Sequence, residues 1–370
     1  MVCAMKITAA VARGKSEPLT IEELELDDLR PSEVRVRMVA TGVCHTDAIV
    51  RDQVYPTPLP AVLGHEGAGV VEAVGSAVTS VVPGDHVVLA AASCGVCSQC
   101  MSGNPSYCEN SYAQWFGGRR PDGTTSLSSN GEQVSSHFFG QSSFATYANA
   151  VERSVVKVPA DAPLEKLGPL GCGLLTGAGA VLNELQPAAG TSLVVFGAGA
   201  VGSAAIMAAK VAGCTTIVAV DLHDSRLDLA LEIGATHAIN SGSADVVSEL
   251  KRITGGKGVD YVVDTTAVPA LLTQALDALA IRGTIVLVGA AAAGTTVPFE
   301  IGESLLKGWT FKTVIEGSAV PQVFIPRLVE LWQQGRFPFD KLVRTYEFKA
   351  INEAFADSAS GATVKPVVVF

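Results

Sequence analysis

Eight cysteines, at positions 3, 44, 94, 97, 100, 108, 172 and 214, are the first chemical signal in this chain. Four of them fall as Cys94-x2-Cys97-x2-Cys100-x7-Cys108, a spacing at which four thiolates on one loop converge tetrahedrally on a zinc ion and leave no open position. A closed site of that kind is structural. An iron–sulfur cluster is the chemical rival, since it is held by thiolates too, and the four residues by themselves accommodate either. Away from the loop stand Cys44 in GVCHTD, the pair His65-Glu66 in GHEGAG, and Cys172 in LGCGLLTG. Each alone says little, because a buried cysteine usually serves as a small hydrophobe and a lone histidine as a satisfied polar group. Together, two thiolates and an imidazole in Gly-flanked turns match a three-ligand zinc site whose fourth position is left for substrate or water. Glu66, next to His65, is placed to orient such a site or to ligate transiently. Cys3 and Cys214 have no partner motif and read as ordinary structural residues.

A second signal follows the apolar run Leu193-Val194-Val195-Phe196. It is Gly197-Ala198-Gly199-Ala200-Val201-Gly202, leading into a small-residue helix expected over Ser203 to Ala212. The first glycine permits a tight turn, the second lets a pyrophosphate approach the backbone, and the third lets helix pack on strand, with the helix N-terminus facing the phosphates. Asp221 ends the next strand 19 residues beyond Gly202, near the spacing of about 20 expected of an acid that binds the adenosine ribose. A carboxylate there accepts hydrogen bonds from the ribose hydroxyls and repels a 2′-phosphate, which favours NAD over NADP. Arg226 weakens that preference, because a guanidinium serves either ribose or phosphate. The plainer alternative is a glycine-rich βα turn with Asp221 as a helix cap.

These groups need a scaffold, and the rest of the chain describes one. From Met1 to about Asp161, short β-like runs such as Glu33 to Ala40, Ala68 to Val74 and Asp85 to Ala90 alternate with turn residues, so this half is mostly β. From about Leu174 to Thr313, strands at Leu193 to Phe196, Thr216 to Val220, Val259 to Asp264 and Thr284 to Gly289 alternate with helical stretches. That rhythm specifies a doubly wound parallel sheet. The tail holds an amphipathic helix near Phe324 to Gln334 and a β-like Val367 to Phe370 that returns to the first domain. Trp115 to Ser136, rich in Gly, Ser, Arg and Thr, reads as an irregular excursion.

Length and composition narrow the class. At 370 residues, with 48% hydrophobic and 17% charged, the chain is too apolar for disorder and long enough for two or three domains. A net charge of −10 provides no field to draw nucleic acid or anionic membrane, so a small-molecule partner is expected. Leu185 to Ala209 is uncharged and long enough to span a bilayer, but Pro187, Gly190, Gly197, Gly199 and Gly202 break it, so no transmembrane segment is expected. Lys6 and Arg13 interrupt any secretory h-region, which points to the cytoplasm, where paired disulfides are improbable and metal is the better use of thiols.

GVCHTD, GHEGAGVVEAVG, the four-cysteine loop, GCGLLTG and GAGAVG, in that order, resemble the zinc-dependent alcohol dehydrogenases of the medium-chain dehydrogenase/reductase superfamily. The resemblance covers essentially the whole chain and is nearest to the bacterial benzyl-alcohol (aryl-alcohol) dehydrogenases. It implies an α/β protein with a GroES-like, mostly β catalytic domain from residues 1–173 and 315–370. A Rossmann NAD-binding domain, 174–314, is inserted between these parts, with the active site in the cleft. It further implies a catalytic zinc on Cys44, His65 and Cys172 and a structural zinc on Cys94, Cys97, Cys100 and Cys108. Thr46 would hydrogen-bond the alcohol oxygen, His45 would lie near the cofactor pyrophosphate, and Asp47 would support the metal ligands from behind. Lys365, in TVKPVVVF, would reach the pyrophosphate.

The activity implied is reversible oxidation of a primary aromatic alcohol, of the benzyl alcohol type, to its aldehyde, with NAD as hydride acceptor and zinc as Lewis acid. His137-Phe138-Phe139-Gly140 matches a family segment that lines the substrate cleft, and Ala90 falls where relatives place a bulkier side chain, which implies room for a ring. The plain alternative is that both phenylalanines are core residues. Many relatives relay the proton to a histidine at the position of Ile49; isoleucine cannot, so His45 or solvent takes it. Relatives are dimers or tetramers, so a homo-oligomer is implied. The runner-up within the superfamily acts on aliphatic alcohols or on the glutathione adduct of formaldehyde. A zinc-ribbon interaction or nucleic-acid module is opposed by the negative charge and leaves Cys44, His65 and Cys172 without a purpose.

Overall fold

The computed structural model describes residues 5–298 and 300–370, and Cys3 lies outside the described residues. Alternation of buried and exposed positions builds the first part of the chain into two sheets. One has the strand order Ala61–Val62, Met5–Ala12, Thr20–Leu26, Leu127–Ser129, Glu132–Val134. The other is seven-stranded and centres on Glu33–Gly42, which pairs with Gly67–Val74, Tyr147–Val151 and the C-terminal strand Lys365–Val369. The last pairing is antiparallel, Val367 opposite Gly42, and Val43 N–H donates to Pro366 O at 3.0 Å. It brings Lys365 to the segment that carries Cys44.

The second part carries a six-stranded, all-parallel sheet in the order His237–Asn240, Thr216–Asp221, Ser192–Phe196, Val259–Asp264, Leu279–Leu287, Thr310–Thr313. The order reverses beside Ser192–Phe196, the place where doubly wound sheets bind ligands at their carboxyl ends. Val194, Phe196, Val218, Val220 and Ile285 form one core on one face with helix residues such as Leu250 and Leu272, while Leu193, Val195, Ile217 and Val263 are buried as well, as a parallel sheet covered on both faces requires. Leu185 to Ala209 becomes the strand Ser192–Phe196 and the start of helix Ala200–Ala212. Among the described residues, no helix is long and apolar enough to cross a membrane.

Two compact units result: Met1–Cys172 with Val320–Val329 and Leu342–Phe370, and Gly173–Ala319 with Glu330–Lys341. Residues 330–341, expected in the first domain, instead join the second, tied there by Lys341 to Glu232 at 2.5 Å. The stretch Trp115 to Ser136 is also less irregular than expected. It contains a hairpin, Leu127–Ser129 with Glu132–Val134, closed by Asn130 and Gly131 at φ +50° and +86°. Asn-Gly is the favoured pair for a two-residue hairpin turn with both φ positive.

Candidate active site

Cys44 ends the segment leaving strand Glu33–Gly42 and caps the short helix His45–Arg51; His65 sits in the turn before strand Gly67–Val74; Cys172 precedes helix Gly173–Gly179. The fold gathers these three turns, so that one ligand atom each from Cys44, His65, Glu66 and Cys172 lies within 4.8 Å of the others. Asp47, fully buried, accepts from Cys44 N–H at 2.9 Å and from Gly64 N–H at 3.1 Å, and its Oδ1 lies 2.9 Å from His65 Nδ1. His65 Nε2 is buried with no hydrogen-bond partner. A carboxylate on one imidazole nitrogen and nothing on the other is the arrangement of a metal-ligating histidine, fixed in tautomer and orientation from behind.

The electrostatics fit a cation. A hydrogen bond with Cys172 holds the Cys44 thiol well below its ordinary range. Burial alone would lower the His65 imidazole, yet the charges of Asp47 and Cys44 raise it well above its usual value. Burial also pushes Glu66 up, against the pull of Lys365. Lys365 was expected to reach a cofactor pyrophosphate, but its ammonium is 2% exposed and turned inward, 2.7 Å from Glu66 and 3.2 Å from Val43 O. A buried carboxylate needs a counter-ion, and the antiparallel pairing of the last strand supplies this one.

Rings enclose His65. Phe139 stacks on it at 4.5 Å between centroids, and Phe138 meets it edge-on at 5.5 Å. Both belong to the first unit's core, at 4% and 1% exposure, so the expected open aromatic lining is instead a buried wall behind the imidazole. Ala90 is buried too, Ile49 and Thr46 are half-buried, and His45 is exposed. Sequence reasoning missed Gln141, whose amide donates to His65 O at 2.9 Å and accepts from Gly67 N–H at 3.1 Å, fastening the His65-Glu66 turn. It also missed Trp115, stacked on Phe139 at 5.2 Å. Neither carries a motif.

In the four-cysteine loop the ligand sulfurs lie within the same 4.8 Å limit. Backbone amides donate to them: Cys94 to Cys108 Sγ at 3.3 Å, Cys97 to Cys94 Sγ at 3.4 Å and Cys100 to Cys97 Sγ at 3.5 Å. The amide of Val96 is the main cause bringing Cys94 down to about 6, and that of Cys100 lowers Cys97. Burial, reinforced by the neighbouring thiols, pushes Cys100 up to about 12. A thiolate-binding metal would offset the cost of ionising Cys100.

In the second unit, Gly197 adopts φ +89°, and a Cβ on Gly202 would lie 1.8 Å from Gly197 O. Gly199 differs, since a Cβ there meets nothing within 4 Å. That open space beside the first turn of helix Ala200–Ala212, which has no side-chain cap and includes half-buried Val201, fits a pyrophosphate. Thr265 Oγ1, another residue without a motif, ties the turn by donating to Phe196 O and Gly197 O at 2.9 and 3.1 Å. Asp221 accepts from Ala198, Leu222 and His223 N–H at 2.7, 2.8 and 3.0 Å, so it fastens the glycine turn as well as the next helix start. Arg226 lies 3.8 Å from it.

Residues 30–160 match the alcohol dehydrogenase GroES-like domain and residues 200–333 the zinc-binding dehydrogenase domain. A geraniol dehydrogenase of Castellaniella defragrans is 44% identical over 98% of this chain and 97% of its own. Among solved structures, an alcohol dehydrogenase zinc-binding domain protein from Burkholderia ambifaria is 56% identical, with a TM-score of 0.97 over 99% of both chains. The benzyl alcohol dehydrogenase of Acinetobacter calcoaceticus is 49% identical, with a TM-score of 0.96 over 99% of both chains. The chain belongs to the zinc-binding alcohol dehydrogenases of the medium-chain dehydrogenase/reductase superfamily. Its mixed architecture, a GroES-like part and a Rossmann-like parallel sheet, is the one the sequence motifs imply.

Proposed function

We propose that this chain catalyses the zinc- and NAD-dependent, reversible oxidation of a primary aromatic alcohol of the benzyl type to its aldehyde. The observation that carries the reading is the clustered Cys44, His65 and Cys172 group, with Asp47 behind His65 and an aromatic wall against its ring. When bound, zinc supplies Lewis acidity and NAD a two-electron acceptor. Cys44, His65 and Cys172 hold the catalytic metal, and Cys94, Cys97, Cys100 and Cys108 the structural one. Asp47 keeps the His65 proton on Nδ1 and so presents Nε2. Thr46, in the first turn after Cys44, takes the substrate hydroxyl proton at Oγ1 while passing on its own hydroxyl proton. Ile49 cannot take it further, so exposed His45 or solvent does.

The backbone of Gly197, Gly199, Val201 and Gly202 cradles the pyrophosphate, while Asp221, with Arg226 beside it, takes the ribose hydroxyls and disfavours NADP. In this reading residues 1–173 and 315–370, apart from the 330–341 segment that belongs to the second unit, form the catalytic domain and 174–314 the NAD-binding domain. Likeness to the benzyl alcohol dehydrogenase supports an aromatic substrate. Likeness to the geraniol dehydrogenase supports a second reading, an allylic alcohol. A kcat/KM panel of benzyl alcohol, geraniol, ethanol and the glutathione adduct of formaldehyde, with NAD and NADP, tests both. Benzyl alcohol is expected to lead with NAD, and ethanol ahead of benzyl alcohol would refute the aromatic assignment.

A further inference from the structure

We propose that the four-cysteine loop positions the metal ligand His65 through a stack of rings, with Trp115 as the positioning residue; the inference rests on the metal sites proposed above. Trp115 lies in helix Ser111–Phe116, shortly after Cys108, and is 3% exposed. Its Nε1 donates to Ala92 O at 2.8 Å, while Ala92 N–H donates to Phe139 O at 3.1 Å. One backbone unit at the root of the cysteine loop thus fastens two rings. Those rings are nearly parallel, 9° apart at 5.2 Å, and Phe139 in turn stacks on His65 at 27° and 4.5 Å. Phe139 adopts φ +53°, a left-handed conformation that persists in a bulky residue only where its surroundings over-determine it.

The root of the loop is closed across its ends by Cys94 N–H to Cys108 Sγ at 3.3 Å. Ala92 precedes the first of these residues and Trp115 follows the second, so ordering the loop fixes the spacing of the two groups that hold Phe139. Asp47 restrains His65 by hydrogen bonding at one ring edge and Phe139 by contact with its face. Loosening the stack therefore leaves the imidazole in its tautomer but frees its orientation.

The test is the rate at which a chromophoric chelator removes zinc from the purified, fully loaded chain, with Cys44→Ser identifying which metal leaves from the Cys44, His65 and Cys172 site. Trp115→Leu is expected to speed that release roughly two- to tenfold, the range set by one aromatic contact, with the metal of the cysteine loop retained. Trp115→Phe, which keeps a ring, is expected to restore most of the wild-type rate. If Trp115→Leu does not fold, Phe139→Leu gives the same comparison. An unchanged release rate in a folded variant, or no rescue by phenylalanine, would overturn the inference. A wild-type metal content that Cys44→Ser leaves unchanged would overturn the metal site itself, and this inference with it.

Discussion

Arg120 is a single residue whose removal exposes how the wall behind His65 is held. Its guanidinium, almost wholly buried, binds both oxygens of Glu33 at 2.6 and 2.9 Å and both of Asp27 at 2.7 and 2.9 Å. Glu33 Oε1 also meets His137 Nε2 at 2.9 Å, and His137 precedes Phe138 and Phe139. Against the cost of burial, the hydrogen bonds of His137 and Arg120 bring Glu33 from 4.5 to about 2. The unfolded chain therefore binds the extra proton between those values, so stability rises with pH across that window. The contribution, of order 3 kcal/mol, is fully present above pH 4.5 and is lost as pH falls toward 2. Arg120→Met deprives the buried Glu33 carboxylate of its two-pronged guanidinium donor, and a loss of about 3 to 5 kcal/mol is expected at pH 7. Protonation of Glu33 relieves this, so the deficit should shrink below pH 4. Urea unfolding of the zinc-loaded protein between pH 3.5 and 7.5 measures it. A deficit under about 1 kcal/mol at pH 7, or one that does not change with pH, would refute the reasoning.

Lys365→Met should likewise destabilise the first unit by about 3 to 5 kcal/mol in urea unfolding, because the buried Glu66 carboxylate then loses its lysine counter-charge, and Glu66→Gln in the same chain should recover part of the loss. Asp221→Ser should relax the NAD preference, read as the NAD/NADP ratio of kcat/KM; an unchanged ratio would show that another residue discriminates. His45→Gln should lower kcat/KM for benzyl alcohol, with partial recovery when Ile49→His is added, by part of the roughly 10² to 10⁴-fold that general-base assistance contributes. A pH profile parallel to wild type, with only KM for NAD raised, would leave the proton to solvent.

Much of this architecture is legible in residue order. Val259 to Asp264 was expected as a strand and is one, because a buried parallel strand writes itself as a short apolar β-branched run. The expected strand from Thr284 instead begins at Leu279, where Arg282 and Gly283 interrupt the apolar pattern. The hairpin at Leu127–Val134 is hidden although Asn130-Gly131 signals it, since Leu-Ser-Ser and Glu-Gln-Val offer a single β-branched residue, Val134. Metal-ligand types announce themselves because cysteine and histidine are few. Lys365 and Glu66, 299 residues apart, give no local sign of pairing; only the final strand's register joins them. Phe138 and Phe139 were expected in the pocket, with the core as the plain alternative, and the positive φ of His137 and Phe139 is not legible from their residue types.

In the proposed enzyme, Cys44, His65 and Cys172 hold a catalytic metal separate from the four-cysteine site. Zinc analysis of wild-type protein and Cys44→Ser, with kcat for benzyl alcohol measured on the same samples, tests it most directly. Two zinc ions per wild-type chain are expected and one in a folded, inactive Cys44→Ser, whereas Cys97→Ser mainly loses stability, because closed zinc sites contribute folding energy. A fully loaded wild-type chain holding a single zinc, or a Cys44→Ser variant that keeps both zinc and turnover, would contradict it.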